Sequence, residues 1–163
     1  MAFILFISFI ILLRIGELLL SKRNEKWLLQ NKAVEYGKNH YSFIVLLHVL
    51  FIVSLIVEYY TQQPNPCNLF FLLLYFILLA FKVWVIMSLG KFWNTKIYRI
   101  PNTSLVKKGP YKYLKHPNYL IVIAEILIIP LVFHLYLTAL VFSVLNLIML
   151  SVRIKEENKA LEI

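Results

Sequence analysis

Residues 118–151 read NYLIVIAEILIIPLVFHLYLTALVFSVLNLIMLS, 34 residues in which Glu125 carries the only formal charge. As one straight helix this stretch would run about 51 Å at about 1.5 Å per residue. The hydrocarbon core of a bilayer is about 30 Å thick. One helix is too long, and two short ones fit. Pro130, with the polar His134 and Tyr136, marks a turn. The stretch therefore predicts a tight hairpin of two membrane helices, over 118–133 and 136–151.

Working outward, residues 2–20, 41–57 and 69–90 are further apolar runs near the roughly 20 residues that a span requires. The N-terminal MAFILFISFIILL lacks the basic start and small-residue cleavage site of a signal peptide, so it reads as the first span. Composition agrees: 61% of the 163 residues are hydrophobic, against about 45–50% in soluble domains. Mean hydropathy is +0.76, and only 15% of residues are charged, with Asp absent. The expected fold is all-α: one domain over 1–163, an integral membrane bundle of about five transmembrane helices. A polar segment over 91–119 and a tail over 152–163 complete it.

The basic residues test this topology. The segment 21–40 holds Lys22, Arg23, Lys26, Lys32 and Lys38. The segment 91–115 holds Lys91, Lys96, Arg99, Lys107, Lys108, Lys112 and Lys115, and the tail holds Arg153, Lys155 and Lys159. These are 15 of the 17 Lys and Arg residues, and the connections around 58–68 and 133–137 hold none. Five spans place all three basic segments on one side, which the positive-inside rule makes the cytoplasm. The N-terminus then lies outside and the C-terminus in the cytoplasm of a cell membrane. The same rule accounts for the net charge of +9, so a nucleic-acid partner is not needed. The single Cys67 forms no internal disulfide and fits no zinc spacing, and no metal site is expected.

Chemistry is thus expected in the segment 91–119 and the tail, because the outer connections are short. In NTSLVKKGPYKYLKHPNY (102–119), Gly109-Pro110 marks a turn. Pro117 suits the first position of a helix, where its missing N–H costs nothing. His116 and Tyr119, three apart, fall on one face. A helix start offers free N–H groups to an anion, and Tyr111, Tyr113 and Tyr119 are rings on which a flat base packs. The same Tyr and Lys residues equally suit an interfacial belt. In the tail, VRIKEENKALEI is amphipathic as a helix, with Val152, Ile154, Ala160, Leu161 and Ile163 as its apolar set. Spacing alone makes Arg153 and Glu157 an ordinary i,i+4 pair, worth about 0.2–0.5 kcal/mol.

Two of these elements carry a resemblance. LVKKGPYKYLKHPNY (105–119) resembles the signature of the isoprenylcysteine carboxyl methyltransferase superfamily: Leu-Val-x-x-Gly-x-Tyr, then a basic residue before His-Pro-x-Tyr. The second element of that family, an Arg followed four residues later by a Glu beyond the last span, is matched by Arg153 and Glu157 in RIKEEN. A helical hairpin separates the two elements in the family, as it does here. The resemblance covers about 69–163. It implies an integral membrane methyltransferase that uses S-adenosyl-L-methionine. Carried over by motif, the cofactor would contact Thr103, Ser104, Leu105, Val106, Tyr111, His116, Pro117, Asn118, Tyr119 and Glu157, and Arg153 would face the reacting oxygen. Thr103 departs from the family pattern, where His is frequent. The first half, ELLLSKRNEKWLLQNKAVEYGKNHY, with FWNTKI and HPNYLIVIAE, is similar to a bacterial branch of five-span members. Some of these methylate the hydroxyl of long-chain alkylpyrones made by type III polyketide synthases.

Arg14, Glu17, Lys82 and Glu125 lie within the apolar spans, each at a cost of about 2.5–3.5 kcal/mol on insertion scales, so each needs a partner or water. Arg14 and Glu17, three apart, suit one another. Glu125, seven residues after Asn118, shares its face and is expected to line the substrate cavity opposite Lys82 or Arg14, as a catalytic residue beside Arg153. A purely structural buried pair is the alternative. His48 and Asn146 are expected to make interhelical hydrogen bonds.

Together these readings predict methyl transfer to an acidic oxygen, an alkylpyrone hydroxyl or a carboxylate, on a lipophilic small molecule that enters from the bilayer lipids. Two alternatives stand beside it: methylation of a phospholipid amine on the same scaffold, and a non-catalytic membrane subunit or transporter fragment. A transporter would be expected to show repeated halves, and none is seen in the sequence.

Overall fold

The computed structural model describes residues 1–62 and 66–161. Ile163, counted above in the apolar set of the tail, lies outside these residues. Five helices follow one another: α1 (Ala2–Gln30), α2 (Lys38–Gln62), α3 (Leu69–Leu89), α4 (Pro117–Leu131) and α5 (Tyr136–Leu161). Two short strands, β1 (Val34–Tyr36) and β2 (Ile97–Arg99), pair antiparallel with Glu35 opposite Tyr98. The molecule is an all-α membrane bundle, as its apolar runs require. Residues such as Leu69, Leu73, Met87 and Leu140 turn outward, where lipid is the solvent.

The helix ends have identifiable causes. Asn68 caps α3, its side chain accepting from the amides of Phe70 and Phe71 at 3.1 and 3.4 Å. Gly90, at φ +54°, ends α3. The buried Glu58, near the end of α2, accepts from the amides of Leu137 and Thr138 at 3.0 and 2.7 Å. A carboxylate on α2 thus satisfies the free N–H groups at the start of α5, where negative charge is favoured.

The predicted hairpin is present. The turn over 132–135 places His134 at φ +58° and returns the amide of Leu135 to the Pro130 carbonyl at 3.0 Å. Four helices are long and apolar enough to cross a membrane. The fifth, α4, has 15 residues, about 22 Å at 1.5 Å per residue, a short helix as expected and shorter than the roughly 30 Å hydrocarbon core. It packs against both α3 and α5 and buries Ile121, Glu125, Ile126 and Ile129. The tail is helical, and α5 continues through it without a break to Leu161. Ala160 is buried there, while Val152 is exposed.

Asn68, just ahead of α3, and the 132–135 turn meet at one end. The amide of Asn68 donates to the Val132 carbonyl at 2.8 Å. Phe3 stacks on Tyr59 with ring centroids 3.7 Å apart and meets Phe133 edge-on. Glu58 joins α2 to α5 at the same level. Below this end the core is apolar, with Phe6 and Ile10 of α1, Phe51 and Leu55 of α2, Tyr75 of α3, Ile129 of α4 and Phe142 of α5. The three basic segments consequently gather at the opposite end, where the strand pair and the long α3–α4 connection lie.

Candidate functional site

The basic end is assembled on α1. This helix runs about 44 Å at 1.5 Å per residue, which carries its last turns beyond the apolar layer. There the buried Asn24 donates to the carbonyls of Trp93 and Gly90 at 2.7 and 3.2 Å. The buried Ser21 hydroxyl bonds to the side chains of Asn94 and Thr95 at 3.0 and 2.8 Å. Two polar residues on α1 therefore hold the strap 90–95 that leads from α3 into β2. Lys96 pairs with Glu25 at 2.7 Å, and the Tyr98 hydroxyl donates to Glu25 and Glu35 at 2.5 and 3.2 Å. Burial, and then these carboxylates, push the Tyr98 hydroxyl well above its usual range, so it stays a donor.

The loop after β2 folds back on itself. Arg99 grips Thr103 through its hydroxyl at 3.1 Å and its carbonyl at 2.5 Å, and the Thr103 hydroxyl donates to the Ile100 carbonyl at 2.7 Å. Gly109 then passes directly against α3 at φ +55°; a Cβ there would run into Ser88 and press on Trp84. Only glycine meets both demands without strain, which is a physical reason for the Gly at this place in the motif. Pro117 starts α4, buried at its first turn as expected. His116, just before it, stacks on Tyr119 with centroids 5.3 Å apart and planes 17° from parallel.

Two cavities open among these elements. The larger, about 300 Å³, lies at the basic end between the strap, the 104–107 loop and the last turns of α5. Ser104, Leu105, Val106, Tyr111, His116, Asn118, Tyr119, Arg153 and Glu157 line it. Thr103 and Pro117 do not: the first is turned to Arg99, and the second is packed beneath the site. Tyr113 is 79% exposed and points away. Residues the sequence reading did not select also line this cavity, chiefly Trp93, Asn94, Lys96 and Arg99. Trp93, Asn94 and Lys96 fall in FWNTKI, noted for its resemblance and not for chemistry, and Lys96 and Arg99 entered only as basic residues of the segment 91–115. Among the described residues, the indole N–H of Trp93 and Nε of Arg99 are buried without an acceptor. Two unused donors in the cavity wall suit a ligand rich in acceptor atoms.

The smaller cavity, about 100 Å³, reaches into the bundle and is lined by Arg14, Glu17, His48, Lys82 and Asn146. Trp93, Asn118, Tyr119 and Arg153 border both cavities. Arg153 is buried at this partition, donating from Nε to the Tyr119 hydroxyl at 3.0 Å and from a terminal nitrogen to the Thr95 carbonyl at 2.6 Å. Tyr119 in turn donates to Glu157, and Glu157 meets Nδ1 of His116 at 3.2 Å. Arg153 and Glu157 are therefore not the simple i,i+4 pair that spacing suggested; each turns to Tyr119. The hydrogen bond to Glu157 holds the His116 imidazole above its usual pKa, against burial, which lowers it. Burial keeps the Tyr111 phenol neutral, its pKa well above the usual range.

Within the membrane layer, the four charges form one cluster. Glu125 accepts from Lys82 at 3.0 Å and from Arg14 at 2.9 Å, while Arg14 also holds Glu17 at 2.9 Å and Lys82 contacts Glu17. Glu125 does not line either cavity, contrary to expectation: it is 2% exposed and closed off behind Arg14 and Lys82. The expected interhelical bonds of His48 and Asn146 are also not found. His48 donates from Nδ1 to the Ile44 carbonyl of its own helix at 2.8 Å, and Nδ2 of Asn146 has no partner among the described residues. No group of three or more potential metal ligands occurs among the described residues.

Comparison with known proteins adds the family. The family model described as "Isoprenylcysteine carboxyl methyltransferase (ICMT) family" matches residues 69–163. The chain is 42% identical to the uncharacterized protein YpbQ of Bacillus subtilis over 163 residues, covering 98% of this chain and 96% of that one. It is 32% identical to an uncharacterized protein of Haemophilus influenzae over 155 residues, covering 93% and 90%. No solved structure matches the chain. The matched residues contain α3, the loop that frames the larger cavity, the α4–α5 hairpin and the Arg153–Tyr119–Glu157 chain, and the protein belongs to the isoprenylcysteine carboxyl methyltransferase family of membrane proteins.

Proposed function

We propose that the protein methylates an acidic oxygen of a lipophilic molecule, using S-adenosyl-L-methionine bound in the larger cavity. The observation that carries this reading is the position of Arg153 on the partition between the two cavities. The cofactor, when bound, supplies an electrophilic methyl group on a cationic sulfur. The unused donors of Trp93 and Arg99 suit its ribose, base and carboxylate acceptors, Leu105 and Val106 suit its apolar parts, and Glu157 suits its positive charge. Ser104, Tyr111, His116, Asn118 and Tyr119 complete the proposed contacts.

The chain has little bond chemistry to perform. A carboxylate is ionised at neutral pH, and an acidic enol nearly so, so attack on the methyl carbon needs positioning and a dry site. Arg153 holds the attacking oxygen without taking its charge away, since a guanidinium stays protonated and binds an anion through two donors. Tyr119 and the Thr95 carbonyl fix the plane of that guanidinium. Arg14 and Lys82 add positive groups to the wall of the smaller cavity beside Glu17. Glu17 and Glu125 balance these two cations, so the cation left over at the cavity is Arg153, which favours an anionic acceptor over an amine.

An open apolar groove of about 530 Å³ between α1 and α3 supports lateral entry from the bilayer. Leu12, Leu13, Gly16 and Met87 line it, and at its inner end stand Glu17 and Lys82, which also line the smaller cavity. The basic end is proposed to face the cytoplasm, by the positive-inside rule, which gives the polar cofactor its access. An alkylpyrone hydroxyl and a fatty carboxylate are the acceptors this reading favours. The test is transfer of tritium from methyl-labelled S-adenosyl-L-methionine to such acids by the purified protein. Labelled ester or enol ether is expected; absence of transfer to any lipophilic acid would remove the reading.

A further inference from the structure

The Arg153 guanidinium is held from two sides, and one of them leads into the N-terminal half of the chain. A terminal nitrogen of Arg153 donates to the Thr95 carbonyl at 2.6 Å. Thr95 lies between α3 and β2, outside any helix or strand, so its hold must come from side chains. Ser21 of α1, 3% exposed, supplies it. The amide and the hydroxyl of Thr95 both meet the Ser21 Oγ, at 3.1 and 2.8 Å. Ser21 gives its own proton to the Asn94 Oδ1 at 3.0 Å, so the Thr95 hydroxyl donates in its contact with Ser21. A serine hydroxyl has one proton and two lone pairs, and all three are used here. The Tyr41 hydroxyl, near the start of α2, completes the set at 3.2 Å from Thr95 Oγ1.

The two strap residues bonded to Ser21 line different cavities, Asn94 the larger and Thr95 the smaller. They depend on the Ser21 hydroxyl to different degrees. Asn94 is also held through its Nδ2, which donates to the Ser21 backbone carbonyl at 2.9 Å, and by the Lys96 amide at 2.8 Å. Among the described residues, the Thr95 amide and hydroxyl are bonded to Ser21 and Tyr41 alone. Loss of the Ser21 hydroxyl therefore loosens Thr95 and leaves Asn94 in place. We infer that Ser21 is a positioning residue for methyl transfer, acting through Thr95 on the direction of the Arg153 guanidinium. Ser21 itself lines neither cavity. Both Ser21 and Tyr41 precede the residues that the family model matches, so the first two helices orient a residue of the family motif. This inference rests on the methyl-transfer reading given above.

The first test needs no turnover. Hydrogen exchange at the Arg153 guanidinium is followed by heteronuclear NMR on the full protein in detergent, with R153K identifying the signal. S21A is expected to speed this exchange about tenfold, the loss of roughly one hydrogen bond. Unchanged exchange would overturn the inference. In tritium transfer to a long-chain fatty acid or alkylpyrone, S21A is expected to lower kcat about tenfold, with S-adenosyl-L-methionine affinity within about twofold of wild type. Placed on R153K, the same substitution is expected to cost less than about twofold, because residues that act through one another are not additive. A loss that persists undiminished in R153K, or an equal loss of cofactor affinity, would make Ser21 a general strut of the strap and overturn the inference. T95V removes only a hydroxyl at nearly constant shape and serves where S21A does not fold. It is expected to lower kcat severalfold in wild type and not in R153K, and equal effects in both would overturn the inference. A wild type that transfers no methyl group would overturn the reading above and the catalytic part of this one, while the exchange measurement still decides whether Ser21 holds Arg153.

Discussion

Arg153 and Tyr119, 34 residues apart in the chain, are joined by a 3.0 Å hydrogen bond from the guanidinium Nε to the phenol oxygen. That bond ties the last helix to the first turn of α4 and aims the remaining guanidinium nitrogens along the border of the two cavities. A lysine retains the charge but not the fork. R153K is expected to lower kcat about 10²-fold, the usual loss on removing one donor to a developing or held oxyanion, with cofactor affinity within about twofold of wild type. Steady-state kinetics alongside equilibrium binding checks this; an equal loss in both would make Arg153 a cofactor residue only.

Glu125 has a different part. It is shared by Lys82 at 3.0 Å and Arg14 at 2.9 Å and is sealed from the cavities. Removing one member of a buried ionic cluster leaves the others uncompensated, at about 3–5 kcal/mol. E125A is therefore expected to lower the melting temperature in detergent clearly, whereas the activity remaining per folded molecule falls less than in R153K. Full stability in E125A would contradict the structural role.

Gly16 faces the groove between α1 and α3, where an added Cβ meets nothing within 4 Å. A large side chain there fills the groove without disturbing the helix. G16F is expected to raise KM for long-chain acceptors severalfold and to spare short-chain ones. Kinetics across a chain-length series measures this, and equal effects at all lengths would place the entry elsewhere.

The His116 imidazole is held above its usual pKa by the hydrogen bond with Glu157. A raised folded-state value means that the protonated form is stabilised by folding. Its contribution is complete below the ordinary histidine pKa of about 6.5 and is lost as pH rises through the higher folded value. Melting temperature is expected to fall over that window in wild type, and H116N is expected to flatten the fall. Parallel profiles for the two proteins would contradict the pairing.

Much of this was legible in the sequence, for reasons that differ by element. The run 118–151 exceeded one bilayer thickness, so a hairpin was forced, and the turn fell at Pro130 and His134. The one-sided basic residues fixed which ends lie together. The cavity residues found by motif, such as Tyr111, His116 and Glu157, sit in short segments that lie near one another only because that hairpin returns α5 to the start of α4. Ser21 and Asn24 were not legible, because a polar residue at the end of a long apolar helix looks like a solvated turn until its partner, the strap 90–95, is known. Glu58 was missed for the same reason: it caps a helix 79 residues away. Arg99 and Trp93 reach the larger cavity through strand pairing and strap geometry, neither of which leaves a periodic signal. The burial of Glu125 behind Arg14 and Lys82 depends on the relative rotation of three helices, which spacing within one helix does not define.

The most direct measurement is equilibrium binding of radiolabelled S-adenosyl-L-methionine to the purified, folded protein, with E157Q alongside. The methyltransferase reading predicts saturable binding at one site per chain, weakened about tenfold or more in E157Q, where the carboxylate between His116 and Tyr119 loses its charge. A folded wild-type protein that binds no S-adenosyl-L-methionine would contradict it.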